Sequence, residues 1–495
     1  MATSAGTGSG MAAGRTLDVS QFLHGLSFTR FHLHILLLSC LVTFFDGLDF
    51  ALVSVTLPEI RDDMSLTEAQ MGDVSLAAFL GQMIGSLIGS YIADIVGRRP
   101  VIIVSTLLAA VLTFVTGFAG SPELLFVLRL LGGLAIGGLL APIWSLNVES
   151  MPRSMKATSV TIIMLGFSAG SAGAAQIANL LASPDGWYAG LYAAGAMPAW
   201  FAEPSWQMVF FFCGVLTAVL AIVLMLFLPE SARWLVASNK SPAKIGPMLA
   251  RFDARFDARE YTGFELSDER KTADKKDPLS KMRELFKGWL VWITPLIWAA
   301  YFFSSFAIYL KSAFGVVFLE ELGLTVETAR NIGSVGGLAG AVAGVLLLMF
   351  TERRGPGWIT LAPLIGIPFV LLLGFGIVLD GPAFIPVVLI GGILVGAGHA
   401  AVISITSIYY PSAVRATGGG WASFMAKFAA VAAPWIGARM FLGSKSAVLD
   451  GYIATAVCLA GIVVCILALS HYAKKLRADE EAQEPAAQPS AQPAE

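Results

Sequence analysis

The stretch LLGGLAIGGLLAPIWSLNVESMPRSMKAT, residues 130–158, lies without a gap over LIGGILVGAGHAAVISITSIYYPSAVRAT, residues 389–417, at an offset of 259. Gly132, Gly133, Gly137, Ser145, Pro152, Lys156, Ala157 and Thr158 fall on Gly391, Gly392, Gly396, Ser404, Pro411, Arg415, Ala416 and Thr417. At the same offset Gly81 and Gly85 fall on Gly340 and Gly344. Self-similarity at one fixed offset marks a duplicated unit.

The unit is built for a membrane. The chain has 495 residues, 56% hydrophobic and 13% charged, against roughly a quarter charged in a soluble domain. Apolar runs recur at 33–58, 72–93, 100–119, 124–148, 157–182, 206–228, 289–319, 327–350, 358–379, 384–409, 417–442 and 450–471. About 20 helical residues cross a bilayer, so the expectation is an all-α multi-pass membrane protein with twelve transmembrane helices in two six-helix pseudo-repeats. Parallel repeats about the membrane normal, with a site between them at mid-depth, describe one class of secondary transporter. Residues 1–30 are expected as a disordered cytosolic lead-in, 31–228 and 289–472 as the two bundles, and 473–495 as a disordered tail. The stretch 229–288, charge-rich and containing the tandem RFDARFDA, reads as a solvated linker without its own core. MATSAGTGSGMAAG lacks the basic start and apolar core of a signal peptide.

Charge marks topology. Arg98, Arg99, Arg153, Lys156, Arg353, Arg354 and Arg415 fall in alternate breaks, whereas EIRDDMSLTE and EELGLTVE are sparse or acidic. Short cytoplasmic loops are enriched in Lys and Arg, which predicts both termini inside and 183–205 as the longest external loop, its Trp and Tyr suited to the interface. The net charge of −2 gives no reason to expect nucleic acid. Cys40, Cys213, Cys458 and Cys465 have no spacing for zinc or a disulfide framework, and no metal or cofactor is implied.

Against this apolar background FFDGLDFALVSVTLP, residues 44–58, carries Asp46 and Asp49 on one face of the first helix. On insertion scales a central Asp costs about 2.5–3.5 kcal/mol, so two need water, a partner or a function. Burial and mutual repulsion raise carboxyl pKa values, and a close pair titrates as a unit, so such a dyad can exchange a proton near neutral pH. A hydrogen-bonded structural pair is the alternative. Arg129, four residues before Gly133, is a candidate partner for a carboxylate or a snorkelling side chain; Lys311 is a candidate for an anionic substrate with the same alternative. Gln176, His399 and Lys427 are candidates to line a cavity or to bridge helices, and Glu149 lies at the inner end of its span. Gly81, Gly85, Gly89, Gly336, Gly340 and Gly344 put small residues on one helix face, for static packing or for rocking of the halves. GFSAG, residues 166–170, matches a hydrolase nucleophile elbow, but that motif needs a strand-turn-helix and here lies within a span. An enzyme is not expected.

These features resemble the major facilitator superfamily over residues 30–472. YIADIVGRRP matches its loop signature at Asp94, Gly97, Arg98 and Arg99, with Ser90 and Ile95 in place of the usual Gly and basic residue. TERRGPG keeps Glu352, Arg353 and Gly355; Arg129, Gly133 and Gly137 resemble the fourth-helix motif, and LPESARWL supplies Glu230 and Arg233. The resemblance implies a cytoplasmic gating network of Asp94, Gly97, Arg98, Arg99, Glu149, Arg153, Glu230, Arg233, Glu352, Arg353 and Arg415. Within the superfamily, DGLD followed by Pro58, with YYPSAVRATGGGWA before the eleventh span, is most similar to the aromatic acid/proton symporters. That implies protons as coupling ion at Asp46 and Asp49, and substrate contacts among Asp49, Arg129, Gln176, Lys311, His399 and Lys427. Lys427 stands where Arg is usual, and Phe314-Gly315-Val316 where Trp-x-Pro is usual.

The expected protein is a monomeric symporter of the cytoplasmic (inner) membrane, importing a small organic, aromatic carboxylate with protons by alternating access. A porter of a sugar, another organic acid or a drug is the nearest alternative, and a transport-inactive nutrient sensor the next. Ser305 and Ile308 occupy the positions of Asp46 and Asp49 in the second repeat, so the acids are an asymmetric addition to a duplicated scaffold.

Overall fold

The computed structural model describes residues 15–196, 203–253, 255–267, 282–411 and 414–483. Hydrocarbon offers the backbone no hydrogen bonds, so an apolar run there must satisfy its own amides as a helix. The first half supplies α1 (Arg30–Met64), α2 (Glu68–Val96), α3 (Arg98–Thr116), α4 (Pro122–Ser150), α5 (Lys156–Leu181) and α6 (Trp206–Phe227). The second supplies α7 (Leu290–Glu321), α8 (Val326–Arg354), α9 (Leu361–Gly374), α10 (Phe384–Val402), α11 (Arg415–Phe441) and α12 (Lys445–Gln483). Among the described residues, eleven of these helices are long and apolar enough to cross a membrane. The remaining one, α11, is less apolar because it carries Arg415, Lys427 and Arg439, yet it packs among the others against α2 and α7. Ends are set locally: Thr67 caps α2 by accepting from Gln70 N, and Ser121 caps α4 by accepting from Leu124 N, with Pro122 in its first turn.

The duplication reappears as packing. In the first half α1 packs on α5, α2 on α4 and α3 on α6; in the second α7 packs on α11, α8 on α10 and α9 on α12. Between the halves α1 meets α7, α2 meets α11 and α5 meets α8, again a symmetric set. The glycine rows serve contacts inside each half. A Cβ on Gly81 would lie 2.2 Å from the Leu130 carbonyl oxygen, and one on Gly85 2.1 Å from that of Leu134, both on α4. A Cβ on Gly344 would lie 2.6 Å from Ala400 Cβ on α10. At these positions the glycines bring helix backbones of one half into close contact.

One end of the first half carries a folded cap. Strand β1 (Arg15–Asp18) pairs in parallel with β2 (Tyr261–Glu265), and Asp18 Oδ1 accepts from Ser20 N at 3.0 Å to start the helix Val19–Gly25. Val19, Leu23, Trp234, Leu249 and Phe252 bury together against Ile35 and Leu36 of α1. For residues 15–30 and 229–267 this departs from the expected disordered lead-in and coreless linker. The helix Pro242–Phe252 hides Ile245, Leu249 and Phe252 at four- and three-residue spacing inside a charged stretch, which composition alone averages away. Residues 1–14, 268–281 and 484–495 lie outside the described residues. The stretch expected as the longest external loop holds a short helix, Trp187–Ala193, with Tyr188 buried.

The α2–α4 contact is expected to be intolerant of volume. Gly85→Ala should destabilise by about 1–3 kcal/mol, read as a lower thermal unfolding midpoint in detergent. Gly337→Ala on α8, where a Cβ would meet nothing within 4 Å, should leave the midpoint unchanged.

Candidate functional site

Gly47, inside DGLD, lets α5 come so close that a Cβ there would fall 1.9 Å from the Phe167 carbonyl oxygen. Gly170 of GFSAG answers from α5, where a Cβ would fall 1.7 Å from the carbonyl oxygen of Phe44. This contact turns the opposite face of α1 inward. Asp46 and Asp49 therefore point into the first bundle, where with Val42, Thr106, Thr113 and Thr217 they line a cavity of about 20 Å³. That is room for about one water molecule.

The two acids have different partners. Asp49 Oδ1 accepts from Thr113 Oγ1 at 2.8 Å and pairs with Arg129 Nη1 at 3.5 Å. Arg129, 1% exposed, donates to Thr116 Oγ1 at 3.2 Å and lies 5.0 Å from the Phe210 ring centroid. Asp46 is 4% exposed, its Oδ1 is buried without a hydrogen-bond partner, and no cation pairs with it among the described residues. One carboxylate is thus compensated by a guanidinium and the other is not.

The other candidates separate. Lys427 of α11 donates to Ser86 Oγ of α2, bridging the halves. Lys311 turns within its own half and donates to the Gly392 carbonyl at 3.0 Å; His399 Nδ1 meets Ser304 Oγ at 2.9 Å, also within the second half. Gln176 Nε2 donates across the halves to Asn331 Oδ1 at 3.0 Å. Sequence reading passed over an aromatic cluster at this interface. Phe50 stands against Phe79, Phe167 and Tyr309 with ring centroids at 5.4, 5.2 and 5.9 Å, and Phe79 meets Tyr309 edge-on at 5.1 Å. Isolated Phe and Tyr residues in an apolar chain give no signal of convergence.

Also missed was a polar closure at one end. Arg330 of α8 is fully buried; its Nη2 pairs with Glu59 and its Nε donates to the Val55 carbonyl at 2.7 Å. Arg61 pairs with Glu320 at 2.9 Å, and Arg439 with Asp73 at 3.0 Å. All three pairs join the halves. One had a signal: Arg61 and Glu320 are 259 residues apart, the repeat offset, so equivalent positions touch near the pseudo-twofold axis.

At the opposite end part of the expected network, Asp94, Arg98, Arg99, Glu149 and Glu230, comes together inside the first half. Arg98 Nη2 pairs with Asp94 and Glu149, each at 3.2 Å, while Ser231 Oγ donates to Glu149. Glu230 accepts from the backbone amides of Arg98 at 3.0 Å and Ser231 at 2.8 Å, and from that of Arg99. Gly97 is needed there: its φ is +113°, and a Cβ would fall 2.4 Å from Glu230 Oε2. Arg233 follows on the helix Ala232–Ala237. Arg153, Arg353 and Arg415 are exposed and make no ion pair among the described residues, and the Glu352 side chain lies outside them. No ion pair joins the halves at this end among the described residues.

Duplicated six-helix bundles, a buried acid pair and ion-pair clusters at opposite ends have the architecture of a membrane transporter. The sequence matches the Major Facilitator Superfamily over residues 39–434, and the chain belongs to that family. It is 29% identical over 435 residues to the 4-hydroxybenzoate transporter PcaK of Pseudomonas putida, covering 87% of this chain and 90% of that protein. It is 28% identical to a gallate transporter of the same organism, covering 85% and 88% of the two chains. Identity to the 3-(3-hydroxy-phenyl)propionate transporter of Escherichia coli is 25%, over 86% of this chain and 92% of that one. Among solved structures, a bacterial homologue of the human lysosomal transporter Spinster, inward-facing and unoccupied, superposes with a TM-score of 0.65 at 17% identity, covering 90% of this chain and 96% of that one. The xylose transporter XylE of E. coli, inward open, gives 0.65 at 18% identity, covering 88% and 95%.

Removing the charge of Arg330 should loosen its end. Breaking a buried pair costs about 3–5 kcal/mol, close to the roughly 5.5 kcal/mol that carries a two-state population from 1:99 to 99:1. Spin labels at exposed Asp62 and Glu327 should report longer distances in Arg330→Gln than in the parent, and an unchanged distribution would count against this closure.

Proposed function

We propose that the protein is a proton-coupled symporter that imports aromatic carboxylates by alternating access, with both termini and the Arg98 end in the cytoplasm of the inner membrane. The observation that carries the coupling is the unpartnered Asp46 beside an Asp49–Arg129 pair in a water-sized cavity. Proton uptake at Asp46 removes a buried charge that no cation pairs with among the described residues, and release restores it. Asp49 stays paired with Arg129 through this change, so the two acids divide the work of binding the proton and holding the site's charge balance.

The substrate class is supported by the relatives' names, which are those of transporters of hydroxylated aromatic acids. It is supported also by the Phe50, Phe79, Phe167 and Tyr309 rings at the interface. Aromatic faces and edges at such separations suit a benzene ring. Lys427, on the same interface and donating to Ser86 Oγ, would meet the carboxylate. The arrangement is inward-facing, since the ion pairs between halves close the Arg330 end. Proton and substrate must each bind one state better than the other for their fluxes to couple.

Labelled 4-hydroxybenzoate should accumulate in cells expressing the protein, faster at acidic than at neutral external pH, and an uncoupler should abolish accumulation. Benzoate and gallate should compete, whereas xylose and aliphatic acids should not; competition by the latter alone would replace the substrate assignment.

Asp46→Asn and Asp49→Asn should both lose concentrative uptake, and should part company in stability. Asp49→Asn leaves Arg129 buried without its counter-ion and should lower the unfolding midpoint, by about 3–5 kcal/mol in free energy. Asp46→Asn removes a partnerless acid and should hold the midpoint of the parent. Full accumulation by both variants would overturn the coupling assignment. Lys427→Gln should raise KM by about tenfold or more, as loss of a charged hydrogen bond worth roughly 1.5–3 kcal/mol requires, and Lys427→Arg should recover most of it.

A further inference from the structure

A second, larger cavity lies where the cap meets the Arg98 end of the bundle. It holds about 340 Å³ and is lined by His34 of α1, Arg99 of α3, Leu226 and Phe227 of α6, and Met248 and Arg251 of the cap helix Pro242–Phe252. Three basic side chains from three separate elements thus converge on one space. Arg99 Nε is buried with no hydrogen-bond partner among the described residues, although Nη2 donates to the Met225 carbonyl at 2.7 Å. Arg251 stacks over the Phe31 ring at 4.5 Å and pairs with no acid among the described residues. His34 Nε2 meets the Phe227 carbonyl at 3.0 Å. Glu230, the acid in the lining, has its oxygens turned to the backbone amides of Arg98, Arg99 and Ser231. The space is therefore a cationic recess with unspent donors.

Its surroundings are apolar. Leu226 and Phe227 at the mouth are 70% and 53% exposed. Above them Val215, Val219 and Ile222, with Leu226, run at helical spacing along α6, each more than half exposed, and so form an uninterrupted apolar track from mid-membrane into the recess. A free anion would use the cations and leave this track idle. Basic recesses between helices at the cytoplasmic surface take acidic lipid head groups.

We infer that this recess binds an anionic phospholipid of the inner leaflet, its phosphate held by Arg99, Arg251 and His34 and an acyl chain laid along α6. The lipid would bridge α1, α3 and α6 to the cap helix, tying the folded cap to the membrane surface. The inference requires only that the chain lies in a bilayer with the Arg98 end at an acidic leaflet, and is independent of the substrate and of the coupling ion.

The purified full-length protein, given equal amounts of phosphatidylglycerol and phosphatidylethanolamine in detergent, should retain phosphatidylglycerol preferentially when its bound lipids are counted by native mass spectrometry. Arg251→Gln should lower that retention about fivefold, the contribution of one basic side chain at an acidic surface, and Arg251→Lys should keep most of it. Met248→Trp, which fills the recess and leaves every charge in place, should lower it as well, and decides the matter should Arg251→Gln fail to fold. Equal retention of the two lipids by the parent, or unchanged retention in Met248→Trp, would overturn the inference. So would displacement of phosphatidylglycerol by excess inorganic phosphate, which would reassign the recess to a soluble anion. Transport enters none of these readouts, so loss of the lipid site and loss of the symport mechanism are separable results.

Discussion

Inside hydrocarbon a hydrogen-bonding group finds its partner within the protein or goes without, and this governs both the helices and the side chains they carry. Several buried threonines comply by bonding one turn back: Thr56 donates to the Leu52 carbonyl at 2.7 Å, Thr106 to that of Ile102 at 2.7 Å, and Thr217 to that of Cys213 at 2.8 Å. Arg330, fully buried, complies through Glu59 and the Val55 carbonyl, and Arg129 complies in part, through Asp49 and Thr116, while its Nε goes without a partner. The bare Oδ1 of Asp46 is one of several exceptions to that pattern, with Arg129 Nε and the hydroxyls of Ser39, Ser75 and Ser305. What sets its carboxylate apart from that of Asp49 is that no cation pairs with it among the described residues.

Close approach of backbones is the second constraint, and it acts unequally in the two repeats. In the first half Gly47, Gly81, Gly85 and Gly170 each bring a facing carbonyl oxygen to within 2.2 Å of where a Cβ would stand. In the second half the equivalent of Gly81, Gly340, has its nearest such atom at 3.3 Å. Tight packing of α1 on α5 is what rotates Asp46 and Asp49 away from the interface and into the cavity with Thr113 and Arg129. The half that carries the acids is thus the more rigidly packed at these positions, and Ser305, which stands in for Asp46 in the second half, is a buried hydroxyl.

The two ends of the bundle use charge differently. At one, arginines reach across the halves to Glu59, Glu320 and Asp73, so opening that end requires parting opposite charges. At the other, Arg98 and Glu230 are engaged with residues of their own half, and the bonds survive whatever the second half does. Placing the separable pairs at one end and the internal ones at the other fits a carrier observed in one of its two states.

Much of the architecture could be read directly from the chain. Membrane insertion follows from helix-length apolar runs, because transfer into hydrocarbon depends on composition over a window, and the duplication follows from residue identities at the 259 offset. Asp46, Asp49 and Arg129 were legible for the same reason: a charge costs so much in an apolar span that its presence is itself a signal. What the chain did not disclose was pairing. Nothing in Lys311 or Lys427 tells which turns to a carbonyl of its own half and which crosses to Ser86, since both are lysines in apolar helices. The aromatic cluster, the Arg330 closure and the cap built from residues 15–25 and 229–266 likewise depend on which helix faces meet. Those faces are selected by packing between segments far apart in sequence, where single residues carry too little free energy to mark their partners and only the assembled fold brings them together.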